Sequence, residues 1–134
     1  MSLSKTCLHD CHVRLGAKMV DFAGWHMPIQ YSSIVSEHNT VRDRVGIFDV
    51  SHMGQIFVSG KDASSFLSYV TTWDISKLSD YDCRYCHILD NNGQIIDDTI
   101  VYTLSNQDYM LVPNASMISK VFDWLNLCLL YTSD

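Results

Sequence analysis

The run Ile95-Ile96-Asp97-Asp98-Thr99-Ile100-Val101-Tyr102 places two adjacent carboxylates inside a stretch that otherwise reads as a β-strand. A strand alternates its side chains, so Ile96, Asp98, Ile100, Tyr102 and Leu104 share one side, while Asp97, Thr99 and Thr103 share the other. Asp98 thus stands on the apolar side and Asp97 on a mostly polar one. A carboxylate among apolar neighbours is costly unless something pairs with it. Two roles satisfy that condition: an acid that acts on or holds a ligand beside Tyr102, or a structural Asp accepting hydrogen bonds where the strand is irregular. Asn92-Gly93 reads as a two-residue hairpin turn. Counting back from it sets His87 opposite Asp98 and Tyr85 opposite Ile100, a cross-strand His–Asp pair that would favour charge on both groups.

Other clusters carry less. Phe48-Asp49-Val50-Ser51-His52-Met53-Gly54 brings Asp, Ser and His together, but neighbours on a strand point apart and a triad is assembled in space. Ser51 also lacks the strand–turn–helix elbow of a hydrolase nucleophile. Phe22-Ala23-Gly24-Trp25-His26-Met27-Pro28 suits a shaped loop over a pocket or a plug at one end of a core. Cys7, His9, Cys11 and His12 cluster, as do Cys83, Cys86 and His87, yet the spacings are not those of a zinc knuckle. Cys83 and Cys86 would also face opposite ways on a strand. The five cysteines are therefore expected to be free thiols, most of them buried, with no metal bound. No phosphate-binding loop, dinucleotide fingerprint or metalloprotease helix occurs.

The elements that must position these residues follow from periodicity. A short helix is expected over residues 7–15, ended by Gly16, then an irregular strand-like stretch from Lys18 to Ile29. Ser33 looks like an N-cap for a helix with the stripe Ile34, His38, Val41 and Val45, ended at Gly46. Ile47–Val50 and Gln55–Ser59 read as strands. Asp62 caps a helix with Ala63, Phe66, Leu67 and Val70 inward. Strands follow over Arg84–Leu89, Gln94–Leu104 and Tyr109–Val112. Asn114 then caps a helix with Ile118, Val121, Phe122 and Leu125 on one face. Hairpin connections make this an α+β fold, an antiparallel sheet with packed helices. The last residues, Leu127 to Asp134, continue the apolar content without clear period.

Composition narrows the classes. The 134 residues are 47% hydrophobic and 18% charged, ordinary for a globular chain. Nine basic against fifteen acidic residues give a net charge of −6, the wrong sign for tracking a phosphate backbone, so no nucleic acid is expected. No run nears the roughly 18 apolar residues that span a bilayer, and the first residues lack the apolar core of a secretory signal. The expectation is a soluble protein of the cytoplasm, with no membrane partner.

Taken together, several segments resemble one family. Gly16-Ala17-Lys18-Met19-Val20, Phe22-Ala23-Gly24-Trp25, Met27-Pro28, Gln30-Tyr31-Ser32-Ser33-Ile34, Phe48 to Gly54, Ile95 to Asp98 and Asn114-Ala115 stand in the order and spacing of the glycine-cleavage T-proteins. These are the tetrahydrofolate-dependent aminomethyltransferases, and the resemblance runs from about Thr6 to Leu125. It implies transfer of a methylene group from the aminomethyl-lipoyl arm of H-protein to tetrahydrofolate, with release of ammonia. It implies Asp98 as the catalytic acid facing the pterin. Met53, Tyr85, Asp98, Ile100, Tyr102, Val112 and Asn114 would line the folate pocket. A desolvated carboxylate there would oppose the charge on a cationic carbon as a folate nitrogen attacks it. In a eukaryote the family's place would be the mitochondrial matrix.

The resemblance has departures. His26 stands where an acidic residue is common, Cys86-His87 follow Tyr85 in place of small or apolar residues, and Ser116-Met117 replace the usual Ala-Asn. Members of the family have three domains. The expectation is therefore an N-terminal fragment, with residues 1–52 opening the first folate-binding domain and 53–126 forming part of the second. Residues 127–134 would be a truncated or foreign tail, and the fragment alone would be inactive. The alternatives are a non-catalytic folate-binding fragment, or a folate-binding domain of the dimethylglycine and sarcosine dehydrogenase type. The Gly-Ala-Lys-Met-Val and Gly-Trp-His-Met-Pro segments fit the second of these less well.

Overall fold

A computed structural model describes residues 2–131, and the chain divides into two compact units, Met1–His52 and Met53–Asp134. In the first unit, α1 (His9–Arg14) leads to β1 (Lys18–Phe22) and β2 (Trp25–Gln30), then to α2 (Ile34–Asp43). The stretch expected to be irregular is an antiparallel hairpin. Ala23 and Gly24 both take positive φ, 53° and 82°, as a tight hairpin turn requires.

Ser33 does cap α2, its hydroxyl accepting the Ser36 N–H at 3.5 Å. Glu37 strengthens the cap by accepting the backbone N–H groups of Tyr31, Ser32 and Ser33. Those bonds, Ser32's foremost, hold its carboxyl below the ordinary range. Three expectations fail here. No residue of α2 is buried, although the stripe from Ile34 to Val45 predicts an inward face. A periodic stripe specifies a face but supplies no partner for it. Residues 47–50 form no strand, because the Asp49 side chain is drawn into hydrogen bonds with Thr6 and His12. The helix also stops at Asp43, three residues before Gly46.

The second unit is a four-stranded antiparallel sheet in the order β3-β6-β5-β4. Its strands are β3 (Ile56–Ser59), β4 (Cys83–Leu89), β5 (Ile95–Ser105) and β6 (Asp108–Pro113), with α3 (Ala63–Val70) after β3 and α4 (Ile118–Tyr131) after β6. One sheet face contributes Ile56, Cys86, Ile88, Val101, Tyr109 and Leu111 to the core. Ala63, Phe66, Leu67 and Val70 of α3 and Val121, Leu125 and Cys128 of α4 complete it. Burying this apolar set away from water is what holds the unit together. Phe122, expected inside, is 52% exposed. Asp62 occupies the N-cap position of α3 without a side-chain bond.

The core corrects the face assignment made from β5 alone. The side carrying Asp97, Thr99 and Thr103 is the buried one, with these residues at 6%, 2% and 3% exposure. Polar residues on one strand do not make a polar face when the neighbouring strands bring Leu111, Cys86 and Ile88 to the same side. The apolar side of β5, with Asp98, Ile100 and Tyr102, is half-exposed.

Two cysteines are buried, Cys86 and Cys128, whereas Cys7 and Cys83 are exposed and Cys11 lies between. Burial of most of the thiols therefore does not hold. Residues 127–131 of the expected tail continue α4, and 132–134 lie outside the described residues. Among the described residues no helix is long and apolar enough to cross a membrane.

Candidate functional site

The open face of the sheet is organised in rows set by strand register. Tyr85 of β4 pairs with Ile100 of β5, which pairs with Val112 of β6. One row along, Cys83 pairs with Tyr102, Tyr102 with Met110 and Met110 with Phe57. On the other side His87 pairs with Asp98, and Asn114 follows directly on β6. Asp98 thus sits at one end of an apolar and aromatic surface.

The register was foreseeable, but the turn that sets it differs. Asp90 and Gln94 close the loop Asn91-Asn92-Gly93, with the Gly93 N–H donating to the Asp90 carbonyl at 3.0 Å. Only Gly93 takes positive φ here, 78°, so this is not the two-residue turn expected of Asn-Gly. The longer loop would shift the strands by one residue. A bulge cancels it: Ile88 pairs with Asp97 and Leu89 with Ile95, which leaves Ile96 extra. His87 therefore still faces Asp98.

The partners of Asp98 are not those expected. One carboxylate oxygen accepts the Tyr85 hydroxyl at 3.1 Å and the other accepts Asn114 Nδ2 at 3.1 Å. His87 instead lays its ring edge-on to Tyr85, with centroids 5.4 Å apart. The hydrogen bond to Asp98 pushes the Tyr85 phenol above its ordinary value, since ionisation would set two negative charges side by side. Tyr85 is 57% exposed, so its ring is open to a ligand.

Asn114 was expected to cap the last helix, and its side chain does something else. It makes no cap bond. Its Nδ2 donates to Asp97 Oδ1 at 2.8 Å as well as to Asp98, and its backbone N–H donates to Asp97 Oδ2 at 2.9 Å. Gly54 helps fix this corner: its N–H donates to the Pro113 carbonyl at 3.0 Å. A Cβ there would lie 2.8 Å from both Pro113 and Ile118, so only glycine lets the backbone come this close. Met53, half-buried in the preceding turn, is carried next to the end of β6 by that contact.

Of the seven residues singled out for this site, hydrogen bonds join Tyr85, Asp98 and Asn114, and register sets Ile100, Tyr102 and Val112 on the same sheet. Met53 is linked through Gly54. Sequence reasoning missed Phe57 and Met110 on the open face and Asp97 as the buried anchor of Asn114. Ile56-Phe57-Val58 is apolar throughout, so the sequence does not mark Phe57, 63% exposed, as the residue on the open face. Nothing in the sequence announces the Asp97–Asn114 bond across 17 residues.

The first unit holds a separate polar constellation. Asp49 accepts Thr6 Oγ1 and His12 Nε2, each at 2.7 Å, and the Ser51 N–H at 3.0 Å. On its other ring nitrogen, His12 meets the Tyr31 hydroxyl at 2.6 Å. Burial alone would raise the Asp49 carboxyl, but the bonds from His12, Ser51 and Thr6 outweigh it and hold the group well below the usual range. His9 Nε2 meets His26 Nδ1 at 2.9 Å. Among the described residues no group of three or more His, Cys, Asp or Glu is placed to hold a metal.

A model of the GCVT N-terminal domain family matches residues 8–129. The aminomethyltransferase of Staphylococcus carnosus is 49% identical over 124 residues, covering 92% of this chain and 34% of that protein. That of Chloroherpeton thalassium is 50% identical over 120 residues, covering 90% and 33% respectively. Glycine cleavage system aminomethyltransferase T from Bartonella henselae matches in structure with a TM-score of 0.88 at 37% identity, over 95% of this chain and 36% of that one. The chain spans about a third of the length of these curated relatives.

Proposed function

Because the chain belongs to the GCVT N-terminal domain family, we propose that it supplies part of the tetrahydrofolate site of an aminomethyltransferase. The complete reaction moves a methylene group from an aminomethyl-lipoyl arm on H-protein to tetrahydrofolate, releasing ammonia and the reduced lipoyl arm. The setting is the cytoplasm. In this reading residues 1–52 open the first folate-binding domain and 53–126 form part of the second.

One observation carries the assignment: a carboxylate, Asp98, stands at the end of an open apolar and aromatic sheet face with its oxygens held by Tyr85 and Asn114. Tyr85 and Tyr102 offer flat surfaces for a heterocycle, and Ile100 and Val112 give it an apolar floor. Held by two donors, the carboxylate is positioned in advance to oppose positive charge developing on the carbon being transferred. Its free lone pairs can accept a proton from an attacking nitrogen. The His87 imidazole packs on Tyr85 rather than on Asp98.

The test replaces the N-terminal third of a full-length aminomethyltransferase with this chain and measures methylene-tetrahydrofolate formation from loaded H-protein. Asp98→Asn keeps the shape and removes the charge. It should lower kcat by about 100-fold, on the order of 3 kcal/mol, and change KM for tetrahydrofolate less. An Asp98→Asn chimera as active as its parent would overturn the assignment. The chain alone should show no turnover, with the rest of the site missing.

A further inference from the structure

We propose that Asp97 is a positioning residue for the folate face: from the buried side of β5 it fixes the amide of Asn114 and, through that amide, the carboxylate of Asp98. The inference rests on the assignment of Asp98 to tetrahydrofolate. Its physical content, one carboxylate orienting another through a shared amide, is measurable without any ligand.

The geometry leaves the amide one orientation. Nδ2 carries two hydrogens, and it meets Asp97 Oδ1 at 2.8 Å on one side and, on the other, Asp98 Oδ1 at 3.1 Å together with the Asp98 carbonyl oxygen at 3.3 Å. Turning the amide over would set its carbonyl oxygen against two carboxylate oxygens. Asp97 adds a second hold, accepting the Asn114 backbone N–H at 2.9 Å, so the residue is clamped at main chain and side chain together. With both Nδ2 hydrogens used, Asn114 Oδ1 makes no hydrogen bond among the described residues and is presented as a fixed acceptor beside Asp98.

Burial is the second argument. Asp97 is 6% exposed on a face where Val101 and Leu111 are fully buried. An apolar side chain would pack there without the cost of removing a carboxylate from water. What Asp97 gives that a valine would not is the clamp on Asn114. The adjacent acids thus divide the work across the two faces of one strand. Asp98 meets the ligand, and Asp97 sets the angle at which it does so.

The test begins on the unsubstituted chain. Heteronuclear NMR should show couplings across the hydrogen bonds from Asn114 Nδ2 to the carboxyl carbons of both Asp97 and Asp98. Absence of the Asp97 coupling overturns the inference whether or not any variant folds. In Asp97→Asn, the Asp98 coupling should weaken as the amide gains freedom to turn, and an unchanged coupling would equally count against Asp97. Tetrahydrofolate titrations of the full-length chimera then read the consequence. Asp97→Asn and Asn114→Ala should each weaken binding by about tenfold, and the double variant should be no weaker than Asn114→Ala alone. Additive losses would show that Asp97 acts other than through Asn114. Should the chimera carrying the unsubstituted chain not bind tetrahydrofolate, the assignment of the face fails, and the couplings alone decide the clamp.

Discussion

The two units of this chain reach compactness by different chemistry. In the unit Met53–Asp134, the buried set is a continuous apolar cluster of sheet and helices, with Leu67, Ile75, Ile88, Val101, Leu111 and Val121 at 0% exposure. In the unit Met1–His52, Met27 is the only buried apolar side chain among the described residues, alongside Thr6, His9 and His12. The first unit is organised instead around an ionised Asp49 and its donors, while Phe22, Ile34, Val45, Ile47 and Phe48 remain more than half exposed. Apolar burial is non-directional and tolerates pH change, whereas a hydrogen-bonded carboxylate is directional and titrates. The same perturbation should therefore act unequally on the two units.

The largest effect is expected in the apolar unit. Leu67 is fully buried on α3 between sheet and α4 residues of one cluster. Leu67→Ala removes that side chain and leaves a cavity, costing about 3 kcal/mol. Denaturant unfolding followed by peptide-resolved hydrogen exchange should place the loss in residues 53–131. A cost under about 1 kcal/mol would mean that the cluster closes over the gap and the contrast between the units is weaker than drawn.

Next comes Asp49, where the first unit should respond to pH. Its carboxyl is held below the ordinary range by His12, Ser51 and Thr6 against the opposing effect of burial. A carboxyl depressed in the folded state stabilises that state above its unfolded pKa, about 3.9. The contribution is lost as pH falls from there toward the depressed folded value. Hydrogen exchange in the first unit should therefore accelerate below about pH 4, and Asp49→Asn should remove that acid limb. At neutral pH the same substitution should cost about 2 kcal/mol, because His12 and Thr6 lose the charge they donate to. An unchanged acid response in Asp49→Asn would show that another group governs it.

The contrast also explains what was legible in the sequence. Elements with an inward stripe and a partner in the chain were read well: α3 with all four of its predicted apolar residues buried, β3, β4, β5 and β6. So was the pairing of His87 with Asp98, although a longer loop and a compensating bulge produce it. Legibility failed where long-range polar bonds decide the outcome. Asp49 draws residues 47–50 out of a strand through Thr6 and His12, 43 and 37 positions away. Asn114 leaves its capping role for two carboxylates 17 and 16 positions back. The face of Asp98 was misassigned for a related reason. Which side of β5 is buried depends on Cys86, Ile88 and Leu111 of its neighbours, and no periodicity within one strand contains that.

The smallest effect should separate a helix that has a core from one that does not. Val121 of α4 is fully buried, while Val35 of α2 is 69% exposed and no α2 residue is buried. Valine loses side-chain freedom in a helix and alanine does not, so at an exposed site Val→Ala is mildly favourable. At a buried site the lost methyl groups and the cavity dominate, at about 2 kcal/mol. Val35→Ala should therefore leave the first unit unchanged or stabilise it by up to about 0.5 kcal/mol, whereas Val121→Ala destabilises the second. The signs should be opposite for one chemical change. If Val35→Ala instead costs more than about 1 kcal/mol, then Val35 is buried against a partner in solution and the contrast between an exposed and a buried helix position fails.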